Sequence, residues 1–435
     1  MKNILIAIRS IFKKGRHNVM KIVSLGIGLA VGLVLIAKVY FEQSYDDFYP
    51  DRDRVYQVWA KYQQNGGELK DYPQTSGGIA PTMQQQIPEI ETVTRYTSFG
   101  DWTFTMTDTK MKYSGRCIIA DSCFFDILPR PMLIGNAKEV LSTPMYVLVS
   151  SRIAKNIGGD VIGKNFTVDS SPGRTMTIGG VFEEVPENSH SRYDVIVSMA
   201  SAGRFMWEGS PTNMLGNDRY ISYVKLHKGV NPLALEEQVH TFVNSYFPPE
   251  EQQKTGFNIG FSFHELDGLH KELPQVKRMT WILSLLAFAL IFTAVMNYIL
   301  IVISSIVNRS KEVAVHKCYG ASENNIHGMM FGEALVHIVL SLILALLLIL
   351  AFRGTVEELL ATSLDSLLLS NGSLVLLGIC ILVFFVSGFM PGSLYARIPV
   401  ASAFRNYREN KRIWKKALLL VQFVATGFLV TMLVF

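Results

Sequence analysis

Five apolar stretches constrain the fold of this 435-residue chain more than any other feature. A transmembrane helix needs about 20 apolar residues, and each stretch approaches or exceeds that length. They carry no charge at their centres and cover residues 22–41, 281–307, 329–352, 374–394 and 417–435. The 239 residues between the first two stretches, 42–280, are long enough to form a separate domain. We therefore predict a membrane α-helical bundle with a large mixed α+β extracytoplasmic domain inserted between the first and second spans.

The placement of lysine and arginine predicts the orientation in the membrane, because short cytoplasmic segments are enriched in these residues. Residues 1–21 carry six of them, residues 308–328 three and residues 396–416 seven, whereas residues 353–373 carry only Arg353. This asymmetry places the N-terminus in the cytoplasm and residues 42–280 outside, with 353–373 as a short outer loop.

The N-terminal region is predicted to anchor the chain. Residues 2–14 place apolar side chains on one helical face and basic side chains mostly on the other, so residues 1–21 should form an amphipathic helix on the inner membrane surface. Residues 22–41 have spanning length and no good cleavage site, which favours an uncleaved anchor over a signal peptide. Lys38, near one end of this span, is expected to snorkel to the lipid headgroups.

The segment 42–280 has the sequence pattern of a mixed α and β domain. Strands are predicted at 54–62, 145–150, 175–182, 194–199 and 220–226, and helices at 78–87, 151–156 and 232–247. The interleaving favours two α+β subdomains, the second inserted at roughly 120–228. With 23 basic and 29 acidic residues, the segment shows no sign of a nucleic-acid-binding face.

Several polar or small residues stand out within the spans. Gly28 and Gly32 form a GxxxG pattern, which permits close helix approach. Asn297 is a lone amide that bonds either across helices or to its own backbone. Glu333 and His337, at i and i+4 near the start of the third span, are expected to bond to the adjacent cytoplasmic segment, because ionisable groups in a membrane need partners.

Residues 308–328 form a short basic segment between the second and third spans. Val313 and Val315 alternate with charged residues and a Gly-Ala pair follows, so we interpret the segment as an ordered loop that offers itself to a cytoplasmic partner. The cytoplasmic segment 396–416 follows the fourth span, which Pro391 and Gly392 should kink or end.

No motif predicts a catalytic, cofactor or metal site. Residues 158–164 resemble a phosphate-binding loop, but Asn165 replaces the hydroxyl residue that would bind Mg²⁺ and a strand follows, so a turn is the better interpretation. The three outer histidines at 190, 264 and 270 have no spacing that builds a triad. Cys117 and Cys123 form either a disulfide or two small buried side chains.

Taken in combination, the residues resemble the MacB/FtsX-like permeases of ABC transporters. The likeness includes Asn297-Tyr298, the coupling-loop pattern from Asn308 to Ala321 and Glu333-Ala334 at the start of the third span. Outer matches include Tyr45 to Phe48, Ile87 to Ile90 and Gly180 to Ser189. The coupling-loop residues that the resemblance implies are Arg309, Lys311, Glu312, Val313, His316, Lys317, Gly320 and Ala321.

The resemblance implies a permease without enzymatic activity in a bacterial inner membrane. A separate cytoplasmic ABC ATPase would bind the coupling loop, and its closure on ATP would move the outer domain by mechanotransmission. Such permeases form homodimers or pair with a second permease, and related members export substrates or extract them from the inner membrane with a periplasmic adaptor and an outer-membrane factor. The alternative is a regulator of a cell-wall hydrolase or signalling partner in the manner of FtsX.

The fifth apolar stretch, 417–435, resembles the opening span of the second half in duplicated, eight-span relatives. We therefore expect the sequence to be the first half of a longer permease. The alternative is a five-span protein whose C-terminus ends outside.

Overall fold

The computed structural model describes residues 17–368 and 372–396, together with residues 416, 419–424, 427 and 431. The amphipathic helix predicted at residues 2–14 and most of residues 397–435 lie outside the described residues. The chain divides into two compact units, one formed by Met1–Gln43 with Pro274–Phe435 and the other by Ser44–Leu273. The predicted fold class is confirmed, because a mixed α+β unit is inserted between an N-terminal apolar helix and the later apolar helices.

Apart from short 3₁₀ turns, the described helices are α1 (Asn18–Gln43), α2 (Ile79–Gln86), α3 (Phe124–Ile127), α4 (Ala137–Ser142), α5 (Ser151–Ile157), α6 (Ala202–Phe205), α7 (Glu236–Tyr246), α8 (Pro249–Thr255), α9 (Gly268–Lys271), α10 (Pro274–Ser304), α11 (Ile306–Cys318), α12 (Glu323–Ala351), α13 (Arg353–Leu360), α14 (Leu364–Leu368) and α15 (Ser373–Ala396). The described strands are β1 (Val55–Gln64), β2 (Lys70–Tyr72), β3 (Ile90–Met106), β4 (Lys112–Ala120), β5 (Met132–Ile134), β6 (Tyr146–Ser150), β7 (Asn165–Val168), β8 (Ser171–Phe182), β9 (Val195–Ser198), β10 (Ile221–Leu226) and β11 (Phe257–Glu265).

Three helices of the described part, α1, α10 and α12, are long and apolar enough to cross a membrane. Ser373–Phe389 of α15 forms a shorter apolar stretch. A Cβ atom added at Gly28 would lie 2.2 Å from Cβ of Ala294, and one at Gly32 would lie 2.4 Å from Cγ1 of Ile291. The close approach predicted from the GxxxG pattern is therefore present, and it brings α1 against α10.

The prediction that Lys38 snorkels to the headgroups is wrong. Its side chain is buried, with Nζ 2.6 Å from Oε1 of Glu42, and it donates a 2.7 Å hydrogen bond to Oγ1 of Thr362. An ion pair one helical turn along α1 and a hydroxyl from the segment after α13 satisfy the ammonium group inside the protein. This pairing joins residues more than 300 positions apart, which a one-dimensional pattern does not reveal.

One mixed sheet organises the inserted unit. Its strand order is β11-β1-β10-β3-β4-β9-β6-β8-β5, with β2 added to β1 and β7 pairing β3 and β8. Most pairs are antiparallel, while β4 with β9 and β6 with β8 are parallel. Helices cover the sheet and close apolar cores that include Phe166, Phe182 and Phe242.

The predicted division into two subdomains does not correspond to a break in the sheet. The 17-residue strand β3 pairs with β10 through its first half and with β4 through its second half, so a single sheet passes from one half of the unit to the other. The structure holds Ser44–Leu273 as one compact unit. The sequence pattern suggested two parts because β10 returns to the first half after the excursion of β5 to β9.

Smaller predictions for this unit had mixed outcomes. The residues after Lys164 form β7, as expected for a turn followed by a strand. Cys117 and Cys123 are free, and burial raises the pKa of both thiols, which favours the interpretation as small buried side chains. The long strands β3 and β11 were not predicted.

The segment that follows α1 is fixed to the loop before β9. Nδ1 of His190 lies 2.7 Å from Oδ2 of the buried Asp46, and Ser189 donates its hydroxyl to Oδ1 of the same carboxylate at 3.1 Å. His190 Nε2 also contacts the hydroxyls of Tyr223 and Ser191. His190 is therefore a satisfied polar residue. Although Asp46, His190 and Ser191 lie together, Ser191 is buried with Tyr96 hydrogen-bonded to it, so the group does not form an accessible triad.

Four alternating charges connect the two ends of the inserted unit. Asp47 pairs with Arg52 at 3.0 Å and with Lys271 at 2.9 Å, and Asp267 pairs with the same two cations at 3.1 Å and 2.8 Å. Beside this ion-pair ring, Tyr45 stacks on His270 with ring centroids 3.4 Å apart. The residues just after α1 and just before α10 therefore contact one another directly.

Asp51 provides a test of electrostatic stability in this unit. Hydrogen bonds from Arg54 and Lys225 hold the pKa of Asp51 at about 2, against 3.8 for an ordinary aspartate. Because the folded-state pKa is lowered, this stabilisation is present above about pH 4 and is lost as the pH falls towards about 2. The side chain is 35% exposed, so solvent screening limits the effect, and we expect Asp51→Asn to cost about 1 kcal/mol near neutral pH.

The measurement is the free energy of unfolding of the inserted unit in the full-length protein, followed by urea titration in detergent at several pH values. Asp51→Asn should flatten the loss of stability between about pH 4 and 2. The control is Asp108→Asn, because Asp108 is exposed and accepts a hydrogen bond only from the neighbouring Thr109 amide. An unchanged acid profile in Asp51→Asn would contradict the prediction.

Candidate functional site

The candidate site lies where α10, α11 and α12 follow one another. α10 ends at Ser304, and the helical backbone is interrupted at Ser305 before α11 begins at Ile306. Ser305 donates its hydroxyl to the carbonyl of Val302 at 2.6 Å, and its own carbonyl accepts from the amide of Arg309 at 3.1 Å. Such back-bonding by a serine bends or interrupts helices, which accounts for the break between the apolar helix and the basic one.

The segment predicted as a loop at 308–328 is largely helical, so that part of the prediction is wrong. Arg309, Ser310, Val313 and Ala314 are all buried, and their i, i+1, i+4 and i+5 spacing is the period of a helix face. The alternation of Val313 with Val315 resembled a strand, but the two side chains lie on different faces of α11: Val313 is 1% exposed and Val315 is 43% exposed.

A short turn joins α11 to α12 and explains the Gly-Ala pair. Gly320 has a positive φ of 86°, its amide donates to the carbonyl of Lys317 at 3.0 Å, and the amide of Ala321 donates to the carbonyl of His316 at 3.0 Å. These are the two hydrogen bonds of a Schellman motif, in which glycine avoids the strain of a left-handed backbone. Ser322 then caps α12 by accepting from the amide of Asn325 at 3.3 Å.

The outward face of α11 and the turn form an exposed surface, which we call the elbow surface. Tyr319 is 88% exposed at its tip, and other exposed members of both polar and apolar type surround it. The elbow surface comprises Lys311, Val315, His316, Cys318, Tyr319 and Gly320. A large aromatic residue beside cations on an exposed helix end has the composition of a protein-binding surface.

The opposite face of α11 is held by a buried charge cluster. Arg309 donates to both carboxylate oxygens of Glu333 on α12, NH1 to Oε1 at 3.0 Å and NH2 to Oε2 at 2.8 Å. Lys21 on α1 is fully buried, with Nζ 3.8 Å from Oε1 of Glu333, and it also donates to Oδ1 of Asn18 at 3.1 Å. One carboxylate therefore joins three helices through a bidentate pair and a second cation.

The other polar residues of the spans also find partners. His337 is one helical turn after Glu333, and its Nδ1 lies 3.2 Å from the hydroxyl of Tyr298 on α10, with the two rings edge to face. Asn297 accepts a 2.5 Å hydrogen bond from Nε2 of Gln422, so its amide bonds to a residue distant in sequence rather than only to its own backbone. Polar contacts thus fix α12 and α10 relative to each other within the membrane unit.

The structure separates the predicted coupling residues into two groups. Lys311, His316 and Gly320 are exposed, and Glu312, Lys317 and Ala321 are half-buried. Arg309 and Val313 are buried, and neither side chain reaches the elbow surface. The expected bond between Glu333 and the preceding segment is present, through Arg309.

Sequence reasoning missed three contributors to this region. Val315 and Tyr319 were not assigned to the surface, although an apolar and an aromatic residue four positions apart in a basic helix were a usable signal. Lys21 contributed only to the predicted membrane orientation. No local pattern connects it with Glu333, 312 positions later. Among the described residues, no group of three or more His, Cys, Asp and Glu side chains could hold a metal ion.

Comparison with known proteins gives the family. Residues 284–400 match the family model described as FtsX-like permease C-terminal, and this match covers α11, its turn and α12. A solved domain of a permease protein from Porphyromonas gingivalis is 32% identical, covering 50% of this chain and 91% of its own, with a TM-score of 0.46. The periplasmic region of MacB from Actinobacillus actinomycetemcomitans is 15% identical, covering 47% of this chain and 87% of its own, with a TM-score of 0.33. No curated protein matches the chain significantly.

The class is thus a multi-helix membrane protein with an inserted α+β unit. Residues 284–400 belong to the FtsX-like permease family, so the chain is a permease-type protein.

Proposed function

We propose that this chain is the permease subunit of an ABC transporter and that a separate cytoplasmic ATPase binds the elbow surface. The permease acts in a bacterial inner membrane as a homodimer or with a second permease, and the inserted unit lies in the periplasm. Motion of that unit exports a substrate or extracts it from the periplasm or inner membrane. The observation that carries the proposal is the two-sided helix α11, which exposes Tyr319 and Val315 while Arg309 attaches its other face to Glu333.

The contacts of α11 supply a route for force from the elbow surface to the neighbouring helices. The bidentate Arg309–Glu333 pair and the tight turn make α12 move with α11. A partner that closes against the elbow surface therefore displaces α12 and, through Glu333, the buried Lys21 of α1. Since α1 and α10 continue directly into the two ends of the inserted unit, their displacement reaches that unit along the chain.

Replacing Tyr319 by alanine should release the ATPase. Binding energy at interfaces concentrates in a few aromatic and basic anchors, and Tyr319 is the most exposed large apolar side chain of the elbow surface. We expect retention of an ABC ATPase on co-purification to fall about tenfold or more in Tyr319→Ala, and further when Val315→Asp is added. The matched control is Leu359→Ala, because Leu359 is 81% exposed on α13, away from the elbow. Equal retention in Tyr319→Ala and the control would refute the docking assignment.

The orientation is tested by labelling Cys318 with a membrane-impermeant maleimide. Cys318 is the exposed cysteine of the chain, whereas Cys117 is buried and Cys123 and Cys380 are half-buried. We expect Cys318 to be labelled in inverted membrane vesicles and to be protected in intact cells, where the reagent does not reach the cytoplasm. Cys318→Ser should remove the signal and so confirm its source. Labelling from outside intact cells would place the elbow in the periplasm and end the proposal.

A further inference from the structure

Among the described residues, part of the outer edge of strand β11 has backbone groups without a hydrogen-bonding partner. β11 lies at one end of the sheet and pairs with β1 from Tyr56↔Glu265 to Gln64↔Phe257. No described strand pairs with its other side. Exposed edges of this type are where another extended chain can add to a sheet.

The direction of each backbone group follows from two hydrogen bonds. The amide of Leu266 donates to the carbonyl of Val55 on β1, so the backbone N–H and C=O groups of even-numbered residues of β11 point towards β1. The amide of Ile259 donates instead to Oε1 of Gln252 on α8, so the backbone N–H and C=O groups of odd-numbered residues point away from the sheet. Gln252 therefore protects the start of the edge, whereas no described group bonds the outward amides and carbonyls of Phe261 and Phe263.

A groove of about 490 Å³ runs beside this open edge. Its walls are β11 and one face of α7, and the half-buried Ile259, Phe261 and Phe263 line it beside the buried Val239 and Val243. Lys61 and Glu236 are at its rim, and neither forms an ion pair with any residue in the described ranges. The groove thus offers unsatisfied backbone groups, an apolar wall and two opposite charges.

We propose that this groove binds an extended peptide segment of a partner protein, which adds to the sheet as a strand beside β11. Backbone hydrogen bonds to Phe261 and Phe263 hold the segment, and its alternate apolar side chains lie on the α7 side of the sheet. A basic residue on that side meets Glu236, and an acidic residue on the opposite side meets Lys61, which pairs with Gly260 on the other face of the sheet. A second copy of β11 matches the rim poorly, because Phe257–Glu265 carries one acidic residue and no lysine or arginine. The proposal concerns the inserted unit and stands independently of ATPase docking at the elbow surface.

The test uses the purified full-length chain in detergent and a fluorescein-labelled probe, the peptide Glu-Val-Thr-Val-Thr-Lys-Thr with blocked ends, in which the two valines and the lysine share one face. We expect saturable binding by fluorescence anisotropy below about 1 mM. Two further probes carry N-methyl groups either on the two valines and Lys or on Glu and the three threonines, so that each blocks one edge of the peptide. One of these should bind about tenfold more weakly and the other almost normally, because only one peptide edge can face β11.

A charge reversal identifies the groove without disturbing the sheet. Glu236→Lys should weaken the original probe and favour a probe whose lysine is replaced by glutamate. Glu237→Lys is the matched control, because this exposed neighbour on α7 does not line the groove. Absence of binding up to about 1 mM, equal effects of the two N-methylated probes, or equal responses of Glu236→Lys and Glu237→Lys would each overturn the proposal. Self-association of the chain that the probe cannot displace would assign the edge to a second copy instead.

Discussion

Glu333→Ala should destabilise the membrane unit by about 3–5 kcal/mol, the cost of leaving a buried ion-pair partner uncompensated. The substitution removes the carboxylate that accepts both hydrogen bonds from Arg309 and that also lies near Lys21. The side chains of Arg309 and Lys21 are 6% and 0% exposed, so water cannot replace the lost oxygen atoms. The measurement is the midpoint of thermal unfolding in detergent, followed by the loss of monodisperse protein.

Two further variants separate a specific charge effect from general damage. Glu358→Ala is the control, because Glu358 is exposed on α13, and its midpoint should stay close to that of the parent. The double variant Arg309→Met with Glu333→Leu should recover at least half of the loss, since an apolar pair of similar volume leaves no unpaired guanidinium. A double variant less stable than Glu333→Ala alone would contradict this account of the cluster.

Adding a methyl group at Gly28 should separate α1 from α10. The new Cβ atom of Gly28→Ala would lie 2.2 Å from Cβ of Ala294, a distance that real contacts do not reach, so the helices must shift. Forced overpacking of this kind costs about 1–3 kcal/mol, and the valine variant should exceed it. Thermal unfolding in detergent measures the loss.

The partner residue provides the rescue. Ala294→Gly in the Gly28→Ala background removes the other methyl group and should restore much of the stability. The contact then again holds one methyl group, on α1 instead of α10. Gly378→Ala is the control, since a Cβ atom added at this position of α15 would meet no other atom within 4 Å. If Ala294→Gly fails to improve Gly28→Ala, the close contact of these two residues does not limit stability.

The long helices could be predicted because an apolar run is a property of consecutive residues. The helix α10 contains most of the run at 281–307, and α12 contains most of the run at 329–352. Local patterns also predicted β6, β10 and α5 within a residue or two. By contrast, the order of the sheet depends on strands that are far apart in the chain, such as β11 beside β1, and no local periodicity records such pairings.

Part of the candidate site was predictable for a different reason. Glu333 lies in an apolar helix, and a carboxylate there needs a cation, which made the adjacent basic segment the natural source. The sequence could not show that Arg309 is that cation rather than a docking residue, because the decision depends on which face of α11 packs against α12. It also could not show that Lys21 and Lys38 are buried, since their partners Glu333 and Thr362 lie more than 300 residues away.

The ion-pair ring of Asp47, Arg52, Asp267 and Lys271 has a mechanical consequence. An inserted domain is connected to the rest of its chain by two segments. If the two segments are independent, they can slide past each other without rotating the domain. Here ion pairs join the two segments where they enter the inserted unit, so a force on either segment acts on both. The two ends of the inserted unit are therefore held to each other by these four residues.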